Sequence, residues 1–309
     1  MMKGIVIKTT GKYHIVKMEN NEIVQSRLKG RFRIAGIKST NPIVVGDKVE
    51  LVQESELWTI ISLHERKNQI VRRSVNLSKQ THVIASNIDQ VILMITLNSP
   101  VTTTAFIDRF LVAAYAYDID VVLLFNKLDL LDNKLKLEQE KLQLLYEKIN
   151  YQCISFSVIH DDMSIVKKLM KNKVNMIAGH SGVGKSTLIN RLQPDLNINT
   201  QSISATHNQG QHTTTFSELF ELDFGASIID TPGIKGFGLV NLDLNEIGNY
   251  FPEVLLLKEK CRFYNCIHKD EPNCAIKLAV NNGSIAKSRY QNYLNMLTQE
   301  DNYFRTTCY

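Results

Sequence analysis

The sequence predicts an α/β protein built from three segments, and three observations support this prediction. Short strand-like runs separated by turn residues fill residues 1–73. Apolar strands alternate with helices within residues 74–238, and a tight group of cysteine and histidine residues marks residues 239–309. We therefore expect, in this order along the chain, an all-β barrel, a mostly parallel sheet with helices on both faces, and a helical domain around a metal.

The composition is that of an ordinary globular protein. The 309 residues are 44% hydrophobic and 22% charged, and the N-terminal residues alternate apolar and polar side chains without a long apolar core. A signal peptide and a membrane span are not expected, so the predicted location is the cytoplasm. Residues 1–75 carry 14 Lys and Arg against 7 Asp and Glu, which gives +7 there and −2 elsewhere in a net charge of +5. This basic segment predicts either an anionic partner such as RNA or a solvated charged face.

The first segment has the strand pattern of a five-stranded oligonucleotide-binding (OB) barrel. Its apolar runs are GIVIKT, YHIVKM, EIVQSRL, DKVELV and LWTIISL. The stretch RLKGRFRI (27–34) places basic side chains around Phe32. The basic side chains suit RNA phosphates, whereas Phe32 belongs either in the barrel core or under an RNA base.

The second segment alternates strands and helices, which is typical of a parallel sheet covered on both faces. Its predicted strands are IDQVILMIT, DVVLLF, CISFS, KVNMIA and ASIID, and its predicted helices are IDRFLVAAYAY, KLKLEQEKLQLLYEKI, SIVKKLMK and KSTLINRL. Ligands bind such sheets at the carboxyl ends of the strands. The motifs described next fall at those ends.

The stretch GHSGVGKST matches the phosphate-binding pattern G-x-x-x-x-G-K-[ST] between a predicted strand and a predicted helix. Its glycines let backbone amides turn toward phosphate oxygens at a helix N-terminus. Lys185 is a candidate catalytic residue that neutralises the terminal phosphates, and Ser186 can bind Mg²⁺. The expected phosphate-binding residues are Gly179, His180, Ser181, Gly182, Val183, Gly184, Lys185, Ser186 and Thr187.

A second motif, NKLD, follows the predicted strand DVVLLF and predicts that the nucleotide base is guanine. The carboxylate of Asp129 can accept hydrogen bonds from the guanine ring N–H and the exocyclic amine, which adenine does not offer in this geometry. Asn126 is expected at the other edge of the base, and Lys127 along it. Ser157 and Val158, in SFSV, are expected to back the base.

Two further segments supply candidate catalytic residues. Asp230 opens DTPG and can hold Mg²⁺ through water, while the amide of Gly233 can meet the γ-phosphate. In GQHTTT, Thr214 is expected to complete the magnesium shell, with its two neighbouring threonines as alternatives. Ile234 stands where Ras-like enzymes place a water-orienting glutamine. His212 therefore either orients the attacking water or is a loop histidine without a catalytic role.

The cysteine cluster reads C-x₄-C-x-H-x₅-C and comprises Cys261, Cys266, His268 and Cys274. Three thiolates and one imidazole form a closed tetrahedral zinc set, which leaves no open position for catalysis. In a chain without an export signal, this grouping favours metal binding over disulfides and over free thiols. We expect one structural zinc ion.

The guanine motif precedes the phosphate loop, which reverses the order found in an ordinary GTPase. Read from Asn126, the order NKLD, SFSV, phosphate loop, GQHTTT and DTPG is the usual order cut once and rejoined. The sequence thus predicts a circularly permuted P-loop GTPase domain. Residues 230–238 lead directly into the zinc segment, so nucleotide state is expected to move the C-terminal domain.

With these motifs in this order, the chain resembles the ribosome small subunit-dependent GTPase A (RsgA) family. The resemblance extends over nearly the whole chain, from PIVVGDKVEL in the barrel through DTPGIKGFGL to CRFYNCIHKDEPNC. It implies late action in small-subunit maturation, binding of ribosomal RNA, and GTP hydrolysis stimulated by the subunit. Two positions depart from the family pattern: His180 replaces Gln or Asn, and Gln211 replaces a basic arginine.

These inferences together predict a GTP hydrolase that yields GDP and phosphate, uses Mg²⁺ with the nucleotide, and acts as a monomer on the small ribosomal subunit and its RNA, without a membrane partner. Two alternatives stay open. One is a GTP-sensing RNA-binding module in which hydrolysis is incidental. The other is a permuted GTPase of large-subunit assembly, against which the basic barrel and the zinc cluster argue.

Overall fold

The structure is a computed structural model that describes residues 1–10, 12–28, 42–54, 57–73, 81–196, 217–230 and 242–298. Its strands are β1 (Met2–Thr9), β2 (His14–Met18), β3 (Ile23–Leu28), β4 (Lys48–Glu54), β5 (Leu57–Leu63), β6 (Gln69–Arg73), β7 (Thr81–Ser86), β8 (Gln90–Ile95), β9 (Asp120–Phe125), β10 (Gln152–Ser155), β11 (Val174–Ala178), β12 (Glu218–Leu222) and β13 (Ala226–Asp230). Its α-helices are α1 (Thr104–Ala116), α2 (Asn133–Glu147), α3 (Ser164–Met170), α4 (Lys185–Leu192), α5 (Pro252–Leu255), α6 (Ala275–Asn281) and α7 (Lys287–Leu297).

The first five strands close into a barrel. β1 pairs with β2 and β4, β2 pairs with β3, β3 runs parallel to β5, and β5 pairs with β4. Because the pairing returns to β1, every strand of the barrel has two neighbours and no strand edge is left open. The barrel core is aliphatic and contains Val6, Val16, Val49, Leu51 and Ile60. This arrangement confirms the predicted OB-like barrel.

The central sheet has the strand order β10-β9-β8-β11-β13-β12, in which only β12 is antiparallel to its neighbour. All six residues of β8 are buried, because helices cover both faces of the sheet. β11 leads into the phosphate loop and lies between β8 and β13, although it comes late in the chain. The predicted permuted α/β domain is thus confirmed.

The barrel continues the central sheet. β1 pairs with β12 in antiparallel register, and the Nζ of Lys8 lies 2.8 Å from the carboxylate of Glu218. A second joint is built on a buried ion pair of the first segment, in which the guanidinium of Arg66 donates to both carboxylate oxygens of Asp47 at 2.7 and 2.8 Å. The hydroxyl of Ser86 donates to the same carboxylate at 2.6 Å. The barrel is therefore joined to the central domain by backbone pairing, by the Lys8–Glu218 ion pair and by the hydrogen bond from Ser86 to Asp47.

A third core holds the C-terminal helices together. It contains Ile247, Phe251, Ile276 and Tyr293, and it includes Val112 of α1, so the C-terminal domain packs directly on the central one. Within this domain, which was predicted to be helical, the segment DLNEIGNYFPEV forms a 3₁₀-helix (Leu244–Tyr250) followed by α5. The last helix that the structure describes is α7.

Among the described strands and α-helices, the sequence analysis did not single out β6, β7, β12 or α6. β6 and β7 pair with each other in a separate two-stranded sheet, and Ala85 of β7 also forms an isolated parallel bridge with Val45. β12 is five residues long and gains its pairing from β13 on one side and β1 on the other. Short elements of this kind are specified by tertiary pairing more than by their own sequence pattern. Among the described helices, none combines the length and apolarity that crossing a bilayer requires.

Candidate nucleotide-binding site and metal centre

The phosphate loop connects β11 to α4, and its path depends on glycines. Gly179, Gly182 and Gly184 have φ angles of 140°, 81° and 104°. A Cβ at Gly179 would lie 2.6 Å from the carbonyl oxygen of Met94, and one at Gly184 would lie 2.6 Å from the side-chain nitrogen of Asn126. A larger residue fits neither position, so the loop keeps the close turn that brings successive backbone amides together.

Lys185, the first residue of α4, reaches back across the phosphate loop. Its Nζ donates to the carbonyl oxygens of Gly179 and His180 at 2.7 and 2.6 Å. Among the described residues, no side chain caps the N-terminus of α4. Ser186 and Thr187 follow in the first helical turn. The ammonium group and the positive end of the helix dipole together favour an anion at this point.

Asn126 links the phosphate loop to the loop after β10. Its buried side chain donates from Nδ2 to the carbonyl oxygen of Val183 at 2.8 Å, and its Oδ1 accepts from the amide of Val158 at 2.9 Å. Lys127 has a left-handed backbone (φ 66°) and donates from Nζ to the carbonyl oxygen of Ser99 at 2.5 Å. Both the nitrogen and the oxygen of the Asn126 side-chain amide are bonded to backbone groups, so Asn126 bridges the phosphate loop and the loop after β10. Its expected contact with the base stays a prediction.

The carboxylate of Asp129 is oriented by Ser157. The Ser157 hydroxyl donates to Oδ1 of Asp129 at 2.6 Å, and this hydrogen bond lowers the pKa of the Asp129 carboxyl. The Nε2 of His160 lies 3.9 Å from the other oxygen, Oδ2. The backbone amide of Ser157 is itself fixed by the carboxylate of Asp161, at 2.7 Å. Asp129 is therefore ionised at neutral pH, as an acceptor of two hydrogen bonds must be.

The predicted zinc ligands converge. The ligand atoms of Cys261, Cys266, His268 and Cys274 all lie within 4.8 Å of one another. The Nδ1 of His268 is 3.5 Å from the sulfur atoms of both Cys261 and Cys274, and those two sulfur atoms are 3.9 Å apart. Tetrahedral bonds of about 2.3 Å to sulfur and 2.0–2.1 Å to nitrogen would separate such ligands by about 3.4–3.8 Å. The donor set and its spacing fit one tetrahedral metal ion.

Several predicted residues lie outside the described part of the chain. These are His212, Thr214 and Gly233, together with residues 29–34 of the basic stretch around Phe32. Asp230 is described only through its backbone, which ends β13 beside Glu218. Their roles stay predictions.

Comparison with known proteins decides the family. The RsgA GTPase model matches residues 63–240, which is more than half of the chain, and the RsgA N-terminal domain model matches residues 3–61. The chain belongs to the RsgA GTPase family. It is therefore a GTPase, as the motifs predicted. The match also explains why the barrel and the permuted domain occur together in one chain.

Relatives of the RsgA family match the full length. The Flavobacterium johnsoniae protein named small ribosomal subunit biogenesis GTPase RsgA is 53% identical and aligns with 100% of this chain and 96% of its own length. A Bacteroides fragilis protein of the same name is 47% identical, with 97% of each chain covered. The crystal structure of YjeQ from Thermotoga maritima superposes with a TM-score of 0.79 at 32% identity over 96% of this chain and 98% of its own. YloQ, described as a circularly permuted GTPase, gives 0.75 at 27% identity, with 98% and 96% covered.

Two side chains at this RsgA-family site were not singled out from the sequence. Arg191 of α4 donates to the carbonyl oxygens of Val158 and Ile159 at 2.6 and 2.9 Å, which fixes the loop that carries Ser157. Phe106 of α1 packs against the phosphate-loop residue His180 with tilted rings, 4.0 Å between ring centroids. Burial and the nearby ammonium of Lys185 lower the pKa of His180. Neither role has a local sequence signal, because each contact joins segments that are far apart in the chain.

Proposed function

We propose that this chain hydrolyses GTP to GDP and phosphate during biogenesis of the small ribosomal subunit, while bound to the RNA of that subunit. The observation that carries the proposal is the meeting of two motifs at one edge of the central sheet. Asn126 joins the phosphate loop of Lys185 to the loop that orients Asp129. Full-length relatives named small ribosomal subunit biogenesis GTPase supply the cellular process. We place its work in the cytoplasm, as a monomer.

The phosphates of GTP would lie in the loop Gly179–Thr187. There the amides of the loop and of the first turn of α4 can donate to phosphate oxygens, and Lys185 exchanges its contacts with loop carbonyls for contacts with phosphate. The ring of His180 points toward Phe106, so this residue contributes its backbone. Asp129 would accept from the guanine N–H and amine, with Ser157 and Lys127 on either side of the base.

Magnesium fits the phosphate end of the site. Ser186 offers a hydroxyl oxygen in the first turn of α4, beside the loop, and oxygen ligands are those that Mg²⁺ prefers. Thr214 and, through water, Asp230 would complete the protein ligands. When bound with GTP, Mg²⁺ offsets the negative charge of the terminal phosphates. Gly233 would donate its amide to the γ-phosphate, and His212 would orient the attacking water.

The metal held by the cysteine cluster is proposed to be one zinc ion with a structural role. Zinc prefers thiolate and imidazole ligands in tetrahedral geometry, and four protein ligands leave no position for a substrate. Glu271 accepts from the amides of Ile267 and Lys269 at 2.6 and 2.8 Å, which fixes the backbone on both sides of the ligand His268. The site thus has the rigid support that a structural metal requires.

The loop of residues 261–274, which carries the four proposed zinc ligands, also presents a surface suited to single-stranded RNA. Tyr264 lies between the ligands Cys261 and Cys266 and is fully exposed, and Phe263 is 39% exposed. The guanidinium of Arg262 lies over the Phe263 ring, 5.5 Å from its centroid. Exposed aromatic rings beside cationic groups bind RNA by stacking on bases and by attracting phosphates. We propose that this loop and the basic barrel both contact ribosomal RNA.

Replacing Asp129 with asparagine should change the preferred base. An asparagine amide donates where the carboxylate accepted, so GTP should bind about 10²-fold more weakly, given about 1.5–3 kcal/mol for each hydrogen bond to a charged group. Xanthosine triphosphate, which offers a carbonyl in place of the amine, should bind better than GTP. Competition binding with the two nucleotides measures the change. Asp120→Asn, at the opposite end of β9, is the control, and unchanged GTP selectivity in Asp129→Asn would remove Asp129 from the base site.

Replacing Tyr264 with alanine should weaken binding to small subunits about tenfold, since stacking on one base contributes about 1–3 kcal/mol. Tyr264→Phe keeps the ring and should bind as the wild type does. The dissociation constants are measured with purified small subunits and a non-hydrolysable GTP analogue at one salt concentration. Equal affinities of the alanine variant and the wild type would show that Tyr264 does not contact the subunit.

The proposed function is tested by GTP hydrolysis of the purified protein alone, with small subunits and with large subunits, at fixed Mg²⁺ and salt concentrations. Strong stimulation by small subunits only is expected. Stimulation by large subunits would instead assign the protein to the other subunit. Equal rates in all three samples would favour a GTP sensor whose hydrolysis is incidental.

A further inference from the structure

A buried ion-pair cluster joins the C-terminal domain to the nucleotide domain. The guanidinium of Arg289, on α7, donates to Oδ1 of Asp108, on α1, at 2.6 Å and to both oxygens of Glu253 at 2.7 and 3.0 Å. Asp108 also accepts from the side-chain amide of Asn292 at 2.6 Å and from the hydroxyl of Tyr146 at 2.8 Å. Asp108 and Arg289 are 0% and 2% exposed.

This cluster fixes the position of α7 against α1. Its carboxylates and guanidinium pair with each other, and the guanidinium also lies 4.7 Å from the centroid of the Phe251 ring. Charges buried to this extent tolerate little displacement, because separating them leaves an unpaired charge in a medium of low polarity. The paired charges therefore hold α7 and α1 in one relative position.

At one end, the linked helices hold the metal centre. The hydroxyl of Tyr290 donates to the carbonyl oxygen of His268 at 2.7 Å, and the hydroxyl of Tyr293 donates to that of Ile267 at 2.6 Å. Both tyrosines lie on α7, and His268 is one of the four clustered metal-ligand residues. The backbone of residues 261–274, called the metal segment from here on, is thus attached to α7, the helix that carries Arg289.

At the other end, α1 contacts the phosphate loop, and the loop before α1 contacts NKLD. Phe106 precedes Asp108 by two residues and packs against the ring of His180 in the phosphate loop. In the loop before α1, the carbonyl oxygen of Ser99 accepts from Lys127 of the NKLD motif at 2.5 Å. Metal centre, α7, α1 and phosphate loop therefore form one chain of direct contacts.

We propose that the metal segment is a positioning element of the nucleotide site, acting through Arg289, Asp108 and Phe106 on the phosphate loop. The inference rests on the proposed nucleotide site and adds a means of control to it. If the metal segment favours the nucleotide-binding geometry of the loop, then bound nucleotide must stabilise the metal segment by the same free energy. A change in the metal segment, such as its binding to RNA, would thereby alter nucleotide affinity.

The first test is a double-mutant cycle on the full-length, metal-loaded protein. Arg289→Gln and Phe106→Leu should each raise the dissociation constant of fluorescent GDP about tenfold, within the usual range of coupling between sites. The double variant should bind no more weakly than the weaker single variant, because both changes interrupt the same connection. Arg289→Lys, which keeps the charge, should recover part of the affinity. Gln291→Ala, on the exposed face of α7, is the control and should bind GDP as the wild type does.

The second test measures the reverse effect. In the wild type, GDP should slow amide hydrogen exchange in residues 261–274 as well as in the phosphate loop. In Phe106→Leu at saturating GDP, the phosphate loop should still be protected while residues 261–274 lose their protection. Loss of a contact that merely supports folding would not separate the two regions. If Arg289→Gln does not fold, Asn292→Ala, which removes a milder contact to Asp108, takes its place in the cycle.

Three results would overturn the proposal. The first is a folded Arg289→Gln protein with wild-type GDP affinity, and the second is a double variant whose GDP dissociation constant rises by the product of the two single-variant increases. The third is GDP protection of residues 261–274 that persists in Phe106→Leu. The last result would assign the coupling to another route, such as the direct chain connection after Asp230. Lys185→Ala separates this failure from failure of the proposed nucleotide site. If GDP affinity is unchanged in Lys185→Ala, the proposed nucleotide site is wrong. If GDP affinity falls in Lys185→Ala but is unchanged in Arg289→Gln, only the proposed coupling is wrong.

Discussion

Replacing Lys185 with alanine should lower the rate of GTP hydrolysis about 10²- to 10³-fold, the usual cost of removing one preorganised charged donor from a transition state. The Nζ of Lys185 already lies across the phosphate loop, where it contacts two loop carbonyl oxygens. Moving from these carbonyls to the terminal phosphates requires only a side-chain rearrangement, and the positive charge then meets the charge that develops in the transition state. The measurement is single-turnover hydrolysis at saturating GTP with small subunits present.

A matched lysine makes this result specific. Lys168 is exposed on α3, so Lys168→Ala removes the same charge away from the site and should hydrolyse GTP at the wild-type rate. Binding of fluorescent GTP to Lys185→Ala separates weaker affinity from slower chemistry. Wild-type turnover by Lys185→Ala would mean that the phosphates bind elsewhere, and it would overturn the assignment of the phosphate loop.

The sequence was sufficient for those parts of the site that depend on local backbone form. A phosphate loop needs glycines at positions such as Gly179 and Gly184, where a Cβ would collide with Met94 or Asn126. Such a requirement leaves a recognisable pattern in the chain. The metal cluster is similar, because four ligands within fourteen residues can converge with little help from the rest of the fold.

The contacts that join distant segments were not predictable. Arg191 and Asp108 lie in predicted helices, Phe106 directly precedes one, and Arg289 lies in the predicted helical domain. No local pattern shows which side chain each of them meets. The prediction connected the metal segment to the nucleotide through residues 230–238 alone. The described structure adds α1 as a second connection, which depends on how α7 packs.

The barrel is attached close to the predicted catalytic segments. β12 lies in the chain between GQHTTT, which holds the expected magnesium ligand Thr214, and DTPG, whose Gly233 is expected to meet the γ-phosphate, and it pairs with β1 of the barrel. A displacement of β12 would therefore act directly on β1 of the barrel. Both flanking domains thus attach to parts of the central domain that contact the proposed nucleotide site or adjoin it.

Removing a metal ligand should have the second large effect. Cys274→Ser is expected to reduce bound zinc from one ion per chain to nearly none, because serine is a poor zinc ligand and three ligands do not close the tetrahedron. Zinc contributes about 10–16 kcal/mol to the folding of small zinc domains, so losing it should unfold the segment that it organises. Metal analysis of the purified protein and hydrogen exchange in residues 261–297 measure the two effects.

Cys153 provides the control for this experiment. Its side chain is half-buried beside β9, outside the metal cluster, and burial raises the pKa of its thiol to about 12, so it stays protonated and does not compete for the metal. Cys153→Ser should therefore keep one zinc ion and wild-type exchange in residues 261–297. Full zinc content in Cys274→Ser would show that the cluster is not the zinc site. Zinc loss with unchanged exchange would show instead that Tyr290 and Tyr293, through their hydrogen bonds to the segment, hold it without the metal.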